Sequence, residues 1–154
     1  MTPEQLAALV SVHGGPLTDA QVSAITPLLD SDNRQDQQIA AVLSQGRTRV
    51  ERHLIGLGDV LGGLAPNGGA WLDAMTSIGQ QDPNVKWAMK LIESNTLNVG
   101  HPATRALALA VANAAGGVVA QGVPLLLALA EAPDPIDVGL VSDALNMAEG
   151  RMPL

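Results

Sequence analysis

The chain contains no cysteine, no phenylalanine and no tyrosine, and Trp71 and Trp87 are its only aromatic residues of the Phe, Trp and Tyr class. Without cysteine it can form neither a disulfide nor a thiolate metal site, and cysteine usage indicates no redox compartment. Hydrophobic residues still make up 47% of the chain. The core must therefore be built from Ala, Leu, Val, Ile and Met, whose thin side chains suit helices that pack closely.

Positive charge is also scarce, because 15 acidic residues stand against 8 basic ones and the net charge is −7. An acidic chain with few aromatics is a poor candidate for nucleic-acid binding, which relies on Lys and Arg against phosphate. We therefore expect no nucleic-acid partner. The chain of 154 residues is long enough to bury a stable core without disulfides or a structural metal. We predict a single helical domain over residues 1–154.

Start and stop signals of helices recur along the chain. Thr2 and Thr18 each stand three residues before a glutamine, which is the pattern of a capping box. Pro102 suits a first helical position, and Gly46 and Gly150 suit helix ends. These signals predict an all-α protein, a compact bundle of seven or eight short helices. The alternation of side chains over residues 47–55 adds an expected short β-element.

Two sets of residues are candidates for an interface. Arg47, Arg49 and Arg52 lie within six residues, beside His53, and a solvated charged edge is the favoured interpretation over a phosphate or acidic-partner contact. Trp and Arg are enriched at binding hot spots, although core packing is the commoner role for a tryptophan. The candidate interface residues are Arg47, Arg49, Arg52, His53, Trp71 and Trp87.

The sequence offers no catalytic, metal or cofactor-binding residues. The three histidines are far apart and lack the spacing of metal ligands. Residues 30–36 resemble a calcium loop but have Gln35 and Ala41 where the loop needs glycine and glutamate. Residues 56–62 resemble a dinucleotide fingerprint, but the last interval is one residue too long and no β-α-β pattern surrounds it. We predict a protein that is not an enzyme and uses no cofactor.

The most apolar segment, residues 106–130, has no charged side chain and is long enough to span a membrane. Glycines, a proline and two amides interrupt it, so the favoured prediction is two helices folded back at Gly116 and Gly117 and buried in a helical core. Membrane insertion is the alternative. The first residues carry neither a basic region nor an apolar run, so we expect no secretory signal peptide.

Several short phrases, in the same order along the chain, resemble small uncharacterised proteins of tailed bacteriophages. None of these phrases is a functional motif, so the resemblance implies no catalytic residues. It does imply a phage product, from the region of genes that encode the tail and the virion. The phrases are residues 1–10 (MTPEQLAALV), 46–50 (GRTRV), 82–88 (DPNVKWA) and 130–135 (AEAPDP).

On this resemblance we expect a non-enzymatic component of a phage particle that acts by protein–protein contacts with other particle proteins. Because virion parts are usually symmetric, we also expect a homo-oligomer. The expected location is the virion or the host cytoplasm. Two alternatives from other classes remain open at this point, a small membrane-acting lysis protein and an inhibitor or regulator of a host protein.

Overall fold

The computed structural model describes residues 1–151, and within them the chain forms nine α-helices and four short strands. The predicted all-α class is confirmed. The elements are α1 Pro3–His13, α2 Asp19–Ile25, α3 Asp36–Ser44, β1 Thr48–Val50, β2 Leu54–Ile55, α4 Leu57–Gly63, α5 Gly68–Gly79, α6 Pro83–Glu93, β3 Leu97–Asn98, α7 Pro102–Ala115, α8 Gly117–Ala128, β4 Glu131–Pro133 and α9 Val138–Ala148, with a 3₁₀ turn at Thr26–Leu29.

The chain divides into two compact units. Unit 1 comprises Met1–Thr48 together with the segment that begins at Pro133, so it contains α1 to α3 and α9. Unit 2 is the continuous segment Arg49–Ala132, which contains α4 to α8. The single domain expected from chain length stays a prediction.

Unit 1 begins its first two helices as the sequence predicts. Thr2 Oγ1 accepts a hydrogen bond from Gln5 N at 3.1 Å, Gln5 Oε1 accepts one from Thr2 N at 2.9 Å, and Thr18 forms the same box. α3 begins at Asp36, after a turn closed by the hydrogen bond from Asn33 N to the Asp30 carbonyl oxygen. The buried apolar side chains of this unit are Leu9, Ile25, Leu29, Ile39, Ala40, Leu43, Ile136, Val141 and Leu145.

Unit 2 packs α4 to α8 around an apolar core. The break between α7 and α8 falls at Gly116, whose φ of 62° is in the region that favours glycine, so the predicted pair of folded-back helices is confirmed. Within residues 1–151, none of the helices has the length and apolar character needed to span a bilayer. The buried core is Ile55, Val60, Leu64, Trp71, Met75, Val85, Met89, Ile92, Val99, Val111, Ala112, Val119, Val123, Leu126, Leu127 and Ala130.

The β-element expected at residues 47–55 is present as two strands, but they do not pair with each other as a hairpin. β1 pairs with β4, and β2 pairs antiparallel with β3, so that Leu54 lies opposite Asn98. Both partners come from parts of the chain far along the sequence, and local alternation carries no information about such partners. The two strand pairs are short.

Helix α4, in the glycine-rich segment between β2 and α5, brings the number of α-helices within residues 1–151 to nine, above the seven or eight that the sequence predicts. The Asp59 carboxylate accepts a hydrogen bond from Gly56 N at 2.8 Å and so fixes the start of the helix. β2, the strand before it, is antiparallel to its partner. The strand before residues 56–62 is therefore not part of a parallel pair, as a dinucleotide fingerprint would require.

Candidate functional site

Helix α6 of unit 2 holds Trp87 in solvent. Asp82 caps the helix by accepting a hydrogen bond from Asn84 N at 3.0 Å. Val85, Met89 and Ile92 form the buried face of α6. Trp87 is two residues from both Val85 and Met89, about 200° around the helix axis, so its indole projects away from the core. Its side chain is 61% exposed.

The two lysines of the chain, Lys86 and Lys90, flank this tryptophan. Their Nζ atoms lie 5.6 and 5.2 Å from the centroid of the Trp87 ring, within range of a cation–π interaction. Leu91, one helical turn beyond Trp87, is also exposed. We call Lys86, Trp87, Lys90 and Leu91 the Trp87 surface. Within residues 1–151, neither lysine takes part in a salt bridge, so both ammonium groups are available to a partner.

A shallow hollow of about 390 Å³ borders the Trp87 surface between α5 and α6. Both lysines line it, and Glu93 and Met89 complete its α6 side. The surface thus places an exposed indole beside a groove whose lining is partly polar and partly apolar. This combination suits a protein partner better than a small molecule, because the hollow is open to solvent and offers few walls.

Trp71, the other candidate tryptophan, has the opposite environment. It lies on α5 and is only 3% exposed, because Val123, Met75 and other apolar side chains of unit 2 surround it. This burial favours core packing over an interface for Trp71. Both tryptophans belong to unit 2, but Trp71 lies on the buried face of α5, whereas Trp87 lies away from the buried face of α6.

Arg47 serves the packing of unit 1. Its guanidinium donates to the Asp134 carbonyl oxygen and to Asp134 Oδ2, both at 3.2 Å, and to the carbonyl oxygen of His13. The His13 carbonyl is at the last residue of α1, where a cation complements the helix dipole. These bonds fix the guanidinium inside unit 1.

Arg49, Arg52 and His53 belong to unit 2. Arg49 forms an ion pair of 2.8 Å with Glu51, and both side chains are about half exposed. Arg52 is exposed, and His53 is half-buried, its peptide N–H bound to Asn98 Oδ1 at 3.0 Å. A contact of these residues with a partner stays a prediction.

A polar cluster centred on Arg34 of unit 1 was missed by the sequence interpretation, which compared residues 30–36 only with a calcium loop. Arg34 Nε lies 2.5 Å from Asp36 Oδ1, and its Nη1 lies 2.8 Å from Glu149 Oε2. Its Nη2 donates to Asn146 Oδ1 at 2.7 Å. Ser142 Oγ donates to the same Asp36 carboxylate at 2.6 Å. We call these five residues the Arg34 cluster.

Burial and hydrogen bonding set the charge states of the Arg34 cluster. Burial alone raises the pKa of the Asp36 carboxyl, but hydrogen bonds from Arg34 and Ser142 outweigh it and hold that pKa below its ordinary value. The hydrogen bond to Asp36 raises the pKa of the Arg34 guanidinium, against the opposing effect of burial. The cluster is therefore an ionised structural network whose hydrogen bonds join α3 to α9 within unit 1.

Two of the three histidines have side chains with local structural roles. His13 Nδ1 lies 3.1 Å from the Gly15 carbonyl oxygen, just past the end of α1. His101 Nδ1 accepts a hydrogen bond from Ala103 N at 3.1 Å and caps α7. No group of three or more His, Asp or Glu side chains that could hold a metal ion occurs in the part of the chain that the structure describes.

Comparison of the chain with protein-family models, with curated proteins and with solved structures finds no match. The interpretation of the site therefore depends on its geometry. Of the six candidate residues, Trp87 has the environment that best fits contact with another protein.

Proposed function

We propose that the chain is a non-enzymatic bacteriophage protein, a structural or assembly component of the particle, that acts by protein–protein contacts through the Trp87 surface. The observation that carries the contact role is the exposure of Trp87 between the two lysines. The phage setting comes from the resemblance of the sequence phrases. Other particle proteins are the expected partners.

An exposed tryptophan favours association for two physical reasons. Burying its large apolar ring against a partner removes that ring from water at little cost in side-chain entropy. Tryptophan is also among the residues that most often dominate the energy of an interface. Leu91, on the same face of α6, extends the apolar area available to the partner.

The lysines define the chemistry of the partner. Two ammonium groups beside the indole favour a partner that presents carboxylates around an apolar patch. A second copy of the chain, with 15 acidic residues against 8 basic ones, can supply carboxylates to these lysines. This supports the proposal of a homo-oligomer, and it makes the association sensitive to salt.

The first experiment compares Trp87→Ala with Leu109→Ala in particles of the phage that encodes the chain. Leu109 is an equally suitable exposed apolar residue of unit 2, 53% exposed on α7. We expect Trp87→Ala to reduce the amount of the protein in purified particles at least about tenfold, the effect of losing a hot spot, whereas Leu109→Ala leaves it unchanged. Equal loss in both variants contradicts a specific role for the Trp87 surface.

A second experiment measures the mass of the purified chain by size exclusion with light scattering. A discrete oligomer that dissociates in high salt and in Trp87→Ala supports self-association through this surface. A protein that is absent from particles but captures one stoichiometric host partner contradicts the particle role. That outcome supports the regulator of a host protein.

A further inference from the structure

Helix α9 of unit 1 has an apolar face that is open to solvent. Leu140 and Met147 lie seven residues apart, so they are almost in line along the helix, and they are 59% and 67% exposed. Within residues 1–151 they are the most exposed large apolar side chains of unit 1. The buried residues of α9 lie on its other side and are Val141, Ser142, Leu145 and Asn146. Unit 1 therefore leaves this apolar face uncovered.

A small residue separates the two exposed side chains on this face. Ala144, which is half-buried, lies between Leu140 and Met147, and we call these three residues the α9 face. Leu140 and Met147 are about 10 Å apart along the helix axis, and the alanine methyl between them leaves room for an inserted ring. Methionine adapts its shape to a partner, and contacts of its sulfur with an aromatic ring are favourable. The α9 face therefore suits a partner that presents an exposed aromatic side chain.

The charges of the chain are divided unequally between the two units. Unit 1 has nine acidic and three basic residues, a net charge of −6, whereas unit 2 has six acidic and five basic residues, a net charge of −1. Asp137, exposed and three residues before Leu140, places a carboxylate beside the α9 face. Arg151, the cation that follows α9, is paired with Glu149 at 3.5 Å. The field of unit 1 therefore favours a partner surface that is positively charged.

We propose that the α9 face of one copy of the chain binds the Trp87 surface of a second copy, with the Trp87 indole packed between Leu140 and Met147. The Trp87 surface supplies what this face favours, an exposed aromatic ring flanked by the two lysines of the chain. The proposal rests on the Trp87 surface as the contact site of the proposed function, and it identifies the partner as a second copy. Because two different surfaces meet, the contact is head-to-tail and can repeat from copy to copy into a ring or a filament.

Two variants of the full chain each remove one half of this contact. Trp87→Ala removes the inserted ring, and Met147→Lys places an ammonium group where it repels the lysines of the second copy. We expect each variant to weaken self-association at least about tenfold, the effect of losing a hot spot, as measured by size exclusion with light scattering over a range of concentrations. Leu109→Lys, at an exposed position of α7 outside both surfaces, is the matched control and should associate like the unaltered chain.

Mixing the two variants tests whether the contact is head-to-tail. The α9 face of Trp87→Ala and the Trp87 surface of Met147→Lys are both intact, so the mixture should form a 1:1 dimer and nothing larger. Leu140→Lys should replace Met147→Lys in this mixture with the same result, and thermal unfolding verifies that each variant is folded. A mixture that stays monomeric, or a Met147→Lys protein that associates like the unaltered chain, overturns the proposal. The amount of Trp87→Ala in purified particles tests the proposed function separately, so either proposal can fail alone.

Discussion

Units 1 and 2 stabilise their helices in different ways, although both are made from the same aromatic-poor composition. Unit 1 has the smaller apolar core and adds the Arg34 cluster, in which Arg34 contacts two carboxylates and an amide. Unit 2 has a larger apolar core, and its ion pair between Arg105 and Glu131 is more exposed. A chain without Phe and Tyr can thus fix helix packing by directional polar bonds or by close apolar fit.

The largest expected loss of stability follows from replacing Arg34 in unit 1. Arg34→Ala leaves the Asp36 and Glu149 carboxylates partly buried without their cation. We expect the free energy of unfolding to fall by about 3–5 kcal/mol, as found when one partner of a buried ion pair is removed. Urea unfolding followed by circular dichroism measures the change.

The matched control for this prediction is Arg151→Ala. Arg151 also approaches Glu149, at 3.5 Å, but its side chain is about half exposed. Its loss should cost under about 1 kcal/mol, the range of surface pairs. Comparable losses in the two variants contradict a special role for Arg34.

The next effect is the acid sensitivity of the Arg34 cluster. Because the folded-state pKa of Asp36 lies below its ordinary value of 3.8, ionised Asp36 stabilises the folded protein. That contribution is complete above the unfolded-state pKa and is lost as the pH falls through the lowered folded-state pKa. We expect Asp36→Asn to destabilise the protein by roughly 1.5–3 kcal/mol at pH 6, the usual contribution of hydrogen bonds to charged groups.

The same variant should flatten the dependence of the urea midpoint on pH below about pH 4, where an ordinary aspartate titrates. Asp19→Asn, at an exposed position of α2 in the same unit, is the control for the loss of one carboxylate, and Asp36→Asn should flatten the slope more than this variant does. If Asp36→Asn keeps the wild-type slope, the acid dependence originates elsewhere.

A smaller effect tests the close fit of unit 2. Gly122→Ala places a methyl group against Trp71 Cδ1 and Leu64 Cδ1, at 2.5 and 2.9 Å. Overpacking of this kind costs about 1–3 kcal/mol, and the better helix propensity of alanine returns about 1 kcal/mol. We expect a net loss of about 1 kcal/mol in the free energy of unfolding.

Gly62→Ala in α4 is the matched control, because a Cβ there meets no atom within 4 Å. Only the propensity gain applies, so this variant should be more stable than the wild type by about 0.5–1 kcal/mol. We expect the two variants to change the free energy of unfolding in opposite directions when both are measured in the same denaturation assay. That result would distinguish a packed glycine position from an open one.

The smallest effect on stability is expected at the Trp87 surface. Trp87→Ala removes a side chain that lies mostly in solvent, so the free energy of unfolding should change by less than about 0.5 kcal/mol. Thermal unfolding measures this change. A large destabilisation indicates that Trp87 supports the fold, and it removes the reason to assign this residue to a partner.

Local signals in the sequence predict the helices well. Thr2, Thr18 and Asp82 cap helices, and Gly116 ends one, because each acts through atoms within a few residues. The solvent exposure of Trp87 can also be predicted from helical register, since Val85 and Met89 define a face that excludes it. The pairing partners of the strands cannot be predicted in this way, because strand pairing depends on long-range geometry.

The Arg34 cluster shows where local interpretation fails. Arg34 and Asp36 belong to a polar segment of the sequence, and their partners, in α9 or directly after it, lie more than a hundred residues further along the chain. One signal was present. Ser142 and Asn146 lie one helical turn apart beside the apolar positions Val141 and Leu145, and all four are buried. Polar residues on the apolar face of a helix indicate a buried hydrogen-bonded network, although they do not identify its cation.

The discontinuous composition of unit 1 has a consequence for the order in which the protein is made. At the ends of unit 2, Glu51 N donates to the Ala130 carbonyl oxygen at 2.8 Å, and in unit 1 Asp134 N donates to the Arg47 carbonyl oxygen at 3.1 Å. Translation therefore delivers all of unit 2 before α9 exists. Until the ribosome has passed the codon for Glu149, Leu9 and Leu43 of the nascent chain lack the helix that covers them. Arg34 likewise lacks the Glu149 carboxylate until then.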